Sequence, residues 1–186
     1  MAKVYIFLAE GFEEIEALTV VDMLRRAEVD IVTISMTGNM LVTGSHKITI
    51  VTEALFGNFD YSDADMLVLP GGMPGTKNLE EHQGLDELLK EFAAKQKQIA
   101  AICAAPRVMG NKGLLQGKNA ICYPGNEEAL LGAQLINKDV VVDGNIITSK
   151  GMGTAVDFSL AIIRKLKGEE EAIRIAAQIQ YTHYSE

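Results

Sequence analysis

Cys103 stands between an apolar run, 99–102, and the small residues Ala104 and Ala105 that lead into Pro106. A nucleophile at the turn between a buried strand and a helix has its side chain forced outward, and small neighbours permit so sharp a turn. A helix N-terminus also stabilises a thiolate and lowers its pKa, which converts a weak nucleophile into a useful one. The same position suits an inert cysteine that merely ends a buried strand. Glu16 belongs to the acid-rich stretch EGFEEIE, 10–16. Glu13 and Glu14 read as first-turn acids that complement a helix dipole, whereas Glu16 sits one turn in, where a side chain can point back toward the end of a sheet. Gly71 and Gly72, after Leu69 and Pro70, can leave backbone N–H groups facing a developing oxyanion beside the sulfur, with the Ala104 N–H as a second donor. Their plainer reading is a tight strand-to-helix connection.

The elements that must position these residues follow from hydrophobic patterning. The nearly continuous apolar run 3–9 (KVYIFLA) reads as a strand buried on both faces. A helix is predicted over 13–27, from Ala17, Val21 and Leu24 at helical spacing, and a second strand over 30–36. Short extended pieces over 41–51, after the Gly38-Asn39 turn, suggest a side hairpin. Strands are expected over 66–69, 99–102 and 120–123, and helices over 85–97, from Pro106 onward, and briefly over 126–131. Asp143-Gly144 between two β-branched runs marks a hairpin over 140–148, and helices over 154–166 and 169–181 flank Gly168. Strands alternating with helices imply an α/β fold, a mostly parallel sheet with helices on both faces, in one domain spanning 1–186. In such a sheet, catalytic groups gather beyond the carboxyl ends of the strands. All three chemical segments fall at such ends.

The composition narrows the functions available. A formal net charge of -8 opposes a polyanionic partner, so no nucleic acid is expected. No apolar run approaches the roughly 18 to 20 residues that span a bilayer, and no basic segment precedes an apolar one at the N-terminus, so the expected location is the cytoplasm without a membrane partner. The two cysteines, Cys103 and Cys122, show neither CxxC nor zinc-finger spacing. Both are expected as reduced thiols, with no metal and no cofactor. Cys122 suits a buried strand cysteine or a partner that resolves an oxidised Cys103.

Glu16, LPGG at 69–72, AAICAAP at 100–106 and TSKGMGT at 148–154 occur in an order and spacing that resembles the ThiJ/PfpI superfamily, in particular its parkinsonism-associated protein deglycase group. The resemblance covers nearly the whole chain. It implies a flavodoxin-like sandwich, a homodimer, Cys103 as the reactive thiol, Glu16 as its protonated carboxyl partner, and Gly71, Gly72 and Ala104 around the oxyanion. It further implies glyoxalase- or deglycase-like action on small carbonyl substrates or glycated adducts, or a redox sensor and chaperone-like holdase built on the same thiol. One position departs from the pattern. Many active relatives carry a histidine before the proline that follows the next strand, and here Tyr123 precedes Pro124. Tyr123 is therefore a candidate auxiliary, while His46, His82 and His183 read as loop or tail residues.

Competing chemistries fit less well. A class I amidotransferase needs a histidine and an acid downstream of its cysteine, for which His183 and Tyr184 are poor substitutes. A flavodoxin needs an anion-cradling loop after its first strand, where this chain places Glu10, Glu13 and Glu14. Gly151-Met152-Gly153 follows a late hairpin strand and reads as a structural turn.

Overall fold

A computed structural model describes residues 1–184. Its strands are β1 (Lys3–Leu8), β2 (Asp30–Ser35), β3 (Leu41–Thr43), β4 (Thr49–Val51), β5 (Ala54–Leu55), β6 (Met66–Leu69), β7 (Gln98–Ile102), β8 (Asn119–Ala120), β9 (Gln134–Leu135), β10 (Val140–Asp143) and β11 (Ile146–Ser149). Its α-helices are α1 (Glu14–Arg26), α2 (Gly75–Glu81), α3 (Gln83–Ala94), α4 (Pro106–Gly110), α5 (Ala155–Lys167) and α6 (Glu169–Gln178). Seven strands form the central sheet in the order β10-β11-β7-β6-β1-β2-β5. Within it only the β10–β11 hairpin is antiparallel.

Alternation along β1 divides the core. Val4, Ile6 and Leu8 pack with α1, α5 and α6 on one face. Tyr5 and Phe7 pack with α3 and α4 on the other. Side chains along a strand point alternately to opposite faces, so a strand covered on both sides must be apolar throughout. The outcome is a flavodoxin-like α/β sandwich. The chain leaves β1 toward β2 on one side, whereas β6, β7 and β11 extend the sheet on the other. A crevice forms where the strand order reverses, above the carboxyl ends of β1 and β6.

Two features differ from the sequence expectation. The strand expected over 120–123 is only β8, which pairs with β9 outside the main sheet. Beyond it, Ile121 N donates to Thr148 Oγ1 at 3.0 Å and Tyr123 N donates to the Cys103 carbonyl at 2.7 Å. Each N–H thus finds a separate acceptor, and no ladder continues. Helix α2 had no sequence signal, since Pro70, Pro74 and three glycines crowd its start. Gly75 opens it where a Cβ would lie 2.7 Å from the Gly11 carbonyl oxygen, so this helix begins by packing directly on another backbone.

Candidate active site

Strand β7 is buried to its end, and the next residue, Cys103, takes a left-handed backbone with φ 64°. A non-glycine residue there costs on the order of 1–3 kcal/mol and persists only when neighbours over-determine it. They do so here: Cys103 N donates to the Ser149 carbonyl at 2.9 Å, and its own carbonyl accepts from Tyr123 N at 2.7 Å. Buried Ala104 and Ala105 then lead into Pro106 at the start of α4. The turn leaves the thiol half-buried.

Glu16 approaches from α1, 1% exposed. Its backbone N–H donates to the Glu13 carboxylate at 2.7 Å, which caps the helix and fixes this turn. Glu16 Oε2 accepts the Gly71 N–H at 2.8 Å. Among the described residues Oε1 has no N–H or O–H partner, and the carboxyl faces the Cys103 thiol. Gly71 permits this convergence, because a Cβ there would lie 2.6 Å from Cys103 Cβ and 2.7 Å from Glu16 Oε2. Gly72 has φ 90° and presses against the backbone of Gly11, Phe12 and Glu13. Its N–H and that of Ala104 face the sulfur.

The electrostatics correct one expectation. Burial foremost, then the facing Glu16 carboxylate, push the Cys103 thiol up to about 12, against the lowering effect of the Ala104 and Gly72 N–H groups. The expected lowering by a helix N-terminus does not prevail, because α4 begins only at Pro106 and is five residues long. Burial also raises Glu16, to about 7, against hydrogen bonds from Cys103 and Gly71. Two acids in one buried site lose their protons as a pair. The first leaves near neutrality and the second far above it.

Tyr123 is brought to the site, its ring beside Gly151 on the Cys103 side. So is Met152, whose backbone N–H lowers the pKa of Glu16. The sequence reads 151–153 as a structural turn; the signal for its role lay in TSKGMGT, which places this loop at the carboxyl end of β11, next to β7. Cys122 is buried in the opposite core, where burial first and Glu127 second push its thiol up to about 11. The histidines stand elsewhere. His82 accepts the Leu85 N–H as the cap of α3, and the His183 ring meets that of Tyr181 edge to face. His46 Nδ1 lies 3.0 Å from Glu14 Oε2.

Glu14, expected to complement the helix dipole from the first turn, does more than that and is 2% exposed. Its carboxylate accepts the N–H groups of His46 at 2.8 Å and Ile48 at 3.4 Å, which clasps the β3–β4 hairpin onto α1. Burial would raise its pKa, yet these hydrogen bonds and the His46 side chain hold it below the usual carboxylate range. Glu13, Glu14 and His46 offer metal-ligating atoms within 4.8 Å of one another, but the Glu14 oxygens are engaged in that clasp.

Comparison with protein-family models matches residues 2–165 to the DJ-1/PfpI family. Protein DJ-1 homolog B of Arabidopsis thaliana is 35% identical over 175 residues, which are 94% of this chain and 40% of the relative, so the chain spans about two fifths of that protein's length. A solved structure of oxidized Toxoplasma gondii DJ-1 superposes with a TM-score of 0.94 at 35% identity, covering 98% of this chain and 100% of the other. A protein named a deglycase, from Pyrococcus abyssi, is 26% identical over 167 residues, 89% of this chain and 99% of its own. Among the described residues, no helix is long and apolar enough to cross a membrane.

Proposed function

The chain belongs to the DJ-1/PfpI family, and from that premise we propose that it converts α-oxoaldehydes, or their adducts on thiols and amines, through a covalent intermediate on Cys103. The observation that carries the proposal is the strained Cys103 with its sulfur between the Glu16 carboxyl and the N–H groups of Gly72 and Ala104. Over the interval between the two proton losses the pair holds one proton. With two N–H donors facing the sulfur and burial raising Glu16, that proton stays on Glu16 and the charge on Cys103.

The thiolate adds to the aldehyde carbon, forming a C–S bond, while the aldehyde oxygen takes the proton from Glu16. Glu16, now a carboxylate, removes the hydrogen from the thiohemiacetal carbon; the electron pair shifts onto the ketone oxygen, which takes the proton of the neighbouring hydroxyl, to give an enediolate. Reprotonation at the adjacent carbon yields a thioester of a 2-hydroxy acid. Water cleaves the C–S bond, releasing the acid and restoring the thiol pair, so the net change is addition of one water to the oxoaldehyde. The oxyanion of each addition lies within reach of the Gly72 and Ala104 N–H groups. Tyr123 stands where relatives place an imidazole, so Glu16 is the group that carries the proton between carbons.

Intact-mass measurement after rapid quenching tests this course. An adduct of methylglyoxal confined to Cys103, accumulating in Glu16→Gln while turnover falls by roughly 10²- to 10⁴-fold, is the expected result. Equal adduct lifetimes and rates in wild type and Glu16→Gln would refute the role of Glu16.

A homodimer is part of the same proposal. Ile15 and Leu18 on α1, with Leu41, Ile48 and Val51 on the hairpin clasped to it, are exposed apolar side chains that suit burial against a second copy.

A further inference from the structure

Glu13 and Glu14 stand side by side at the start of α1, and both are buried, at 8% and 2% exposure. Buried charges persist where they are paired or hold a metal ion. Among the described residues neither carboxylate pairs with a lysine or arginine, and the basic group that faces both is the His46 imidazole. Its Nδ1 lies 3.0 Å from Glu14 Oε2 and 3.8 Å from Glu13 Oε1. The second distance is too long for a hydrogen bond. Glu13 Oε1 therefore points at the imidazole without accepting a proton among the described residues, whereas Oε2 of the same carboxyl takes the Glu16 N–H.

The hairpin clasp leaves one oxygen of Glu14 exchangeable. Oε1 takes the His46 and Ile48 N–H groups, so the backbone contacts rest on that atom. Oε2 faces two rotatable partners, the His46 ring and the Ser45 hydroxyl at 3.4 Å. A cation can replace the imidazole proton at Oε2 while Oε1 keeps the hairpin. The turn is shaped for this closeness: a Cβ on Gly44 would overlap the Glu14 carboxylate, and Lys47, with φ 68°, reverses the chain just after His46. The His46 side chain is exposed, so an ion reaches Nδ1 from solvent.

We propose that Glu13 Oε1, Glu14 Oε2 and His46 Nδ1 form a zinc site that fastens the β3–β4 hairpin to the start of α1. Tetrahedral zinc with bonds of about 2.0–2.1 Å sets its ligand atoms about 3.3 Å apart, between the two separations observed. One ligating atom from each residue lies within 4.8 Å of the other two, so small side-chain rotations close the set. The ion takes the place of the Nδ1 proton, which moves to Nε2 by exchange with solvent, and a water completes the tetrahedron. The imidazole selects zinc over magnesium or calcium, which favour oxygen ligands throughout. Glu14 and His46 are 32 residues apart, so no compact metal-binding spacing marks them in the sequence.

Calorimetric titration with zinc chloride tests the site in wild type, Cys103→Ser, His46→Gln and Glu13→Gln, each checked for folding by circular dichroism. Wild type and Cys103→Ser should each bind one zinc per chain with equal affinity. His46→Gln and Glu13→Gln should bind at least about tenfold more weakly, since losing even a partner that supports a ligand costs that much. Glutamine at position 13 keeps an oxygen for the helix cap, so the second variant removes the ligand charge alone. Magnesium chloride should give no binding heat. Imidazole NMR supplies an independent readout, in which zinc should move the His46 signals and leave those of His82 and His183 in place. Zinc should also raise the Tm of wild type by mass action and leave that of His46→Gln unchanged. Affinity unchanged in both His46→Gln and Glu13→Gln, binding lost in Cys103→Ser, or zinc shifts at His82 or His183 in place of His46 would overturn the site.

Discussion

At the scale of single residues, burial raises the Glu16 carboxyl to about 7 and the facing thiol to about 12, while the Gly72 and Ala104 N–H groups face the sulfur. The pair predicts a specific pH dependence. Iodoacetamide labelling of Cys103 should accelerate as pH rises through about 7, because loss of the pair's first proton creates the nucleophile. Glu16→Leu removes the donor to the thiolate, and a charge-assisted hydrogen bond is worth roughly 1.5–3 kcal/mol, so the acceleration should move up by one pH unit or more. Site-resolved mass spectrometry over pH 5 to about 10 reads both. A profile unchanged in the variant would dissolve the partnership. Cys122, buried and pushed up to about 11, should label more slowly throughout. Mild peroxide should likewise oxidise Cys103 first, and Glu16→Leu should alter the ratio of its sulfinate to sulfonate products.

At the scale of elements, the site is an encounter of four strand ends, and glycines set how closely they meet. Gly71→Ala should place a methyl group against Cys103 Cβ and Glu16 Oε2, which its Cβ would approach to 2.6 and 2.7 Å. The expected result is a Cys103 alkylation rate lowered at least tenfold, since a one-unit pKa shift alone has that effect, with the circular dichroism of the fold retained. Glu14→Ala should release the β3–β4 hairpin by removing the charged acceptor of the His46 and Ile48 N–H groups, costing about 1.5–3 kcal/mol in urea unfolding. The two cases show why the site was only partly legible in the sequence. Cys103 and its strand could be read because burial makes β7 continuously apolar and the elbow demands small neighbours. Glu14 could not, because a first-turn acid looks alike whether it faces water or clasps a hairpin 32 residues away. The place of Tyr123 before Pro124 marks it in the sequence, yet the strand expected to carry it ends at Ala120, and the acceptors that redirect the chain, Thr148 and the Cys103 carbonyl, come from elsewhere. Helix α2 was invisible because backbone packing of Gly75 on Gly11 and Phe12, not propensity, starts it.

At the scale of the whole molecule, the alternating strands and helices predicted from patterning correspond to the observed sandwich, while the strand order that brings β1 beside β6 arises from long-range pairing. Stability should record the buried carboxyl. The pair's first proton leaves at about 7, above the ordinary carboxyl value of 4.5, so the folded state binds more protons between them. The contribution is fully present below pH 4.5 and lost as pH rises through about 7, a change on the order of 3 kcal/mol. Glu16→Gln should flatten that limb in urea unfolding followed against pH. Light scattering at micromolar concentration should give the mass of a homodimer, and a charged substitution at Leu18 should shift it toward the 20.2 kDa chain. The most direct test of the central claim follows methylglyoxal and its 2-hydroxy acid product by proton NMR in a thiol-free, amine-free buffer, with wild type and Cys103→Ser side by side. Stoichiometric conversion to lactate by wild type, and none above buffer by Cys103→Ser, is the predicted result; indistinguishable traces from the two proteins would contradict it.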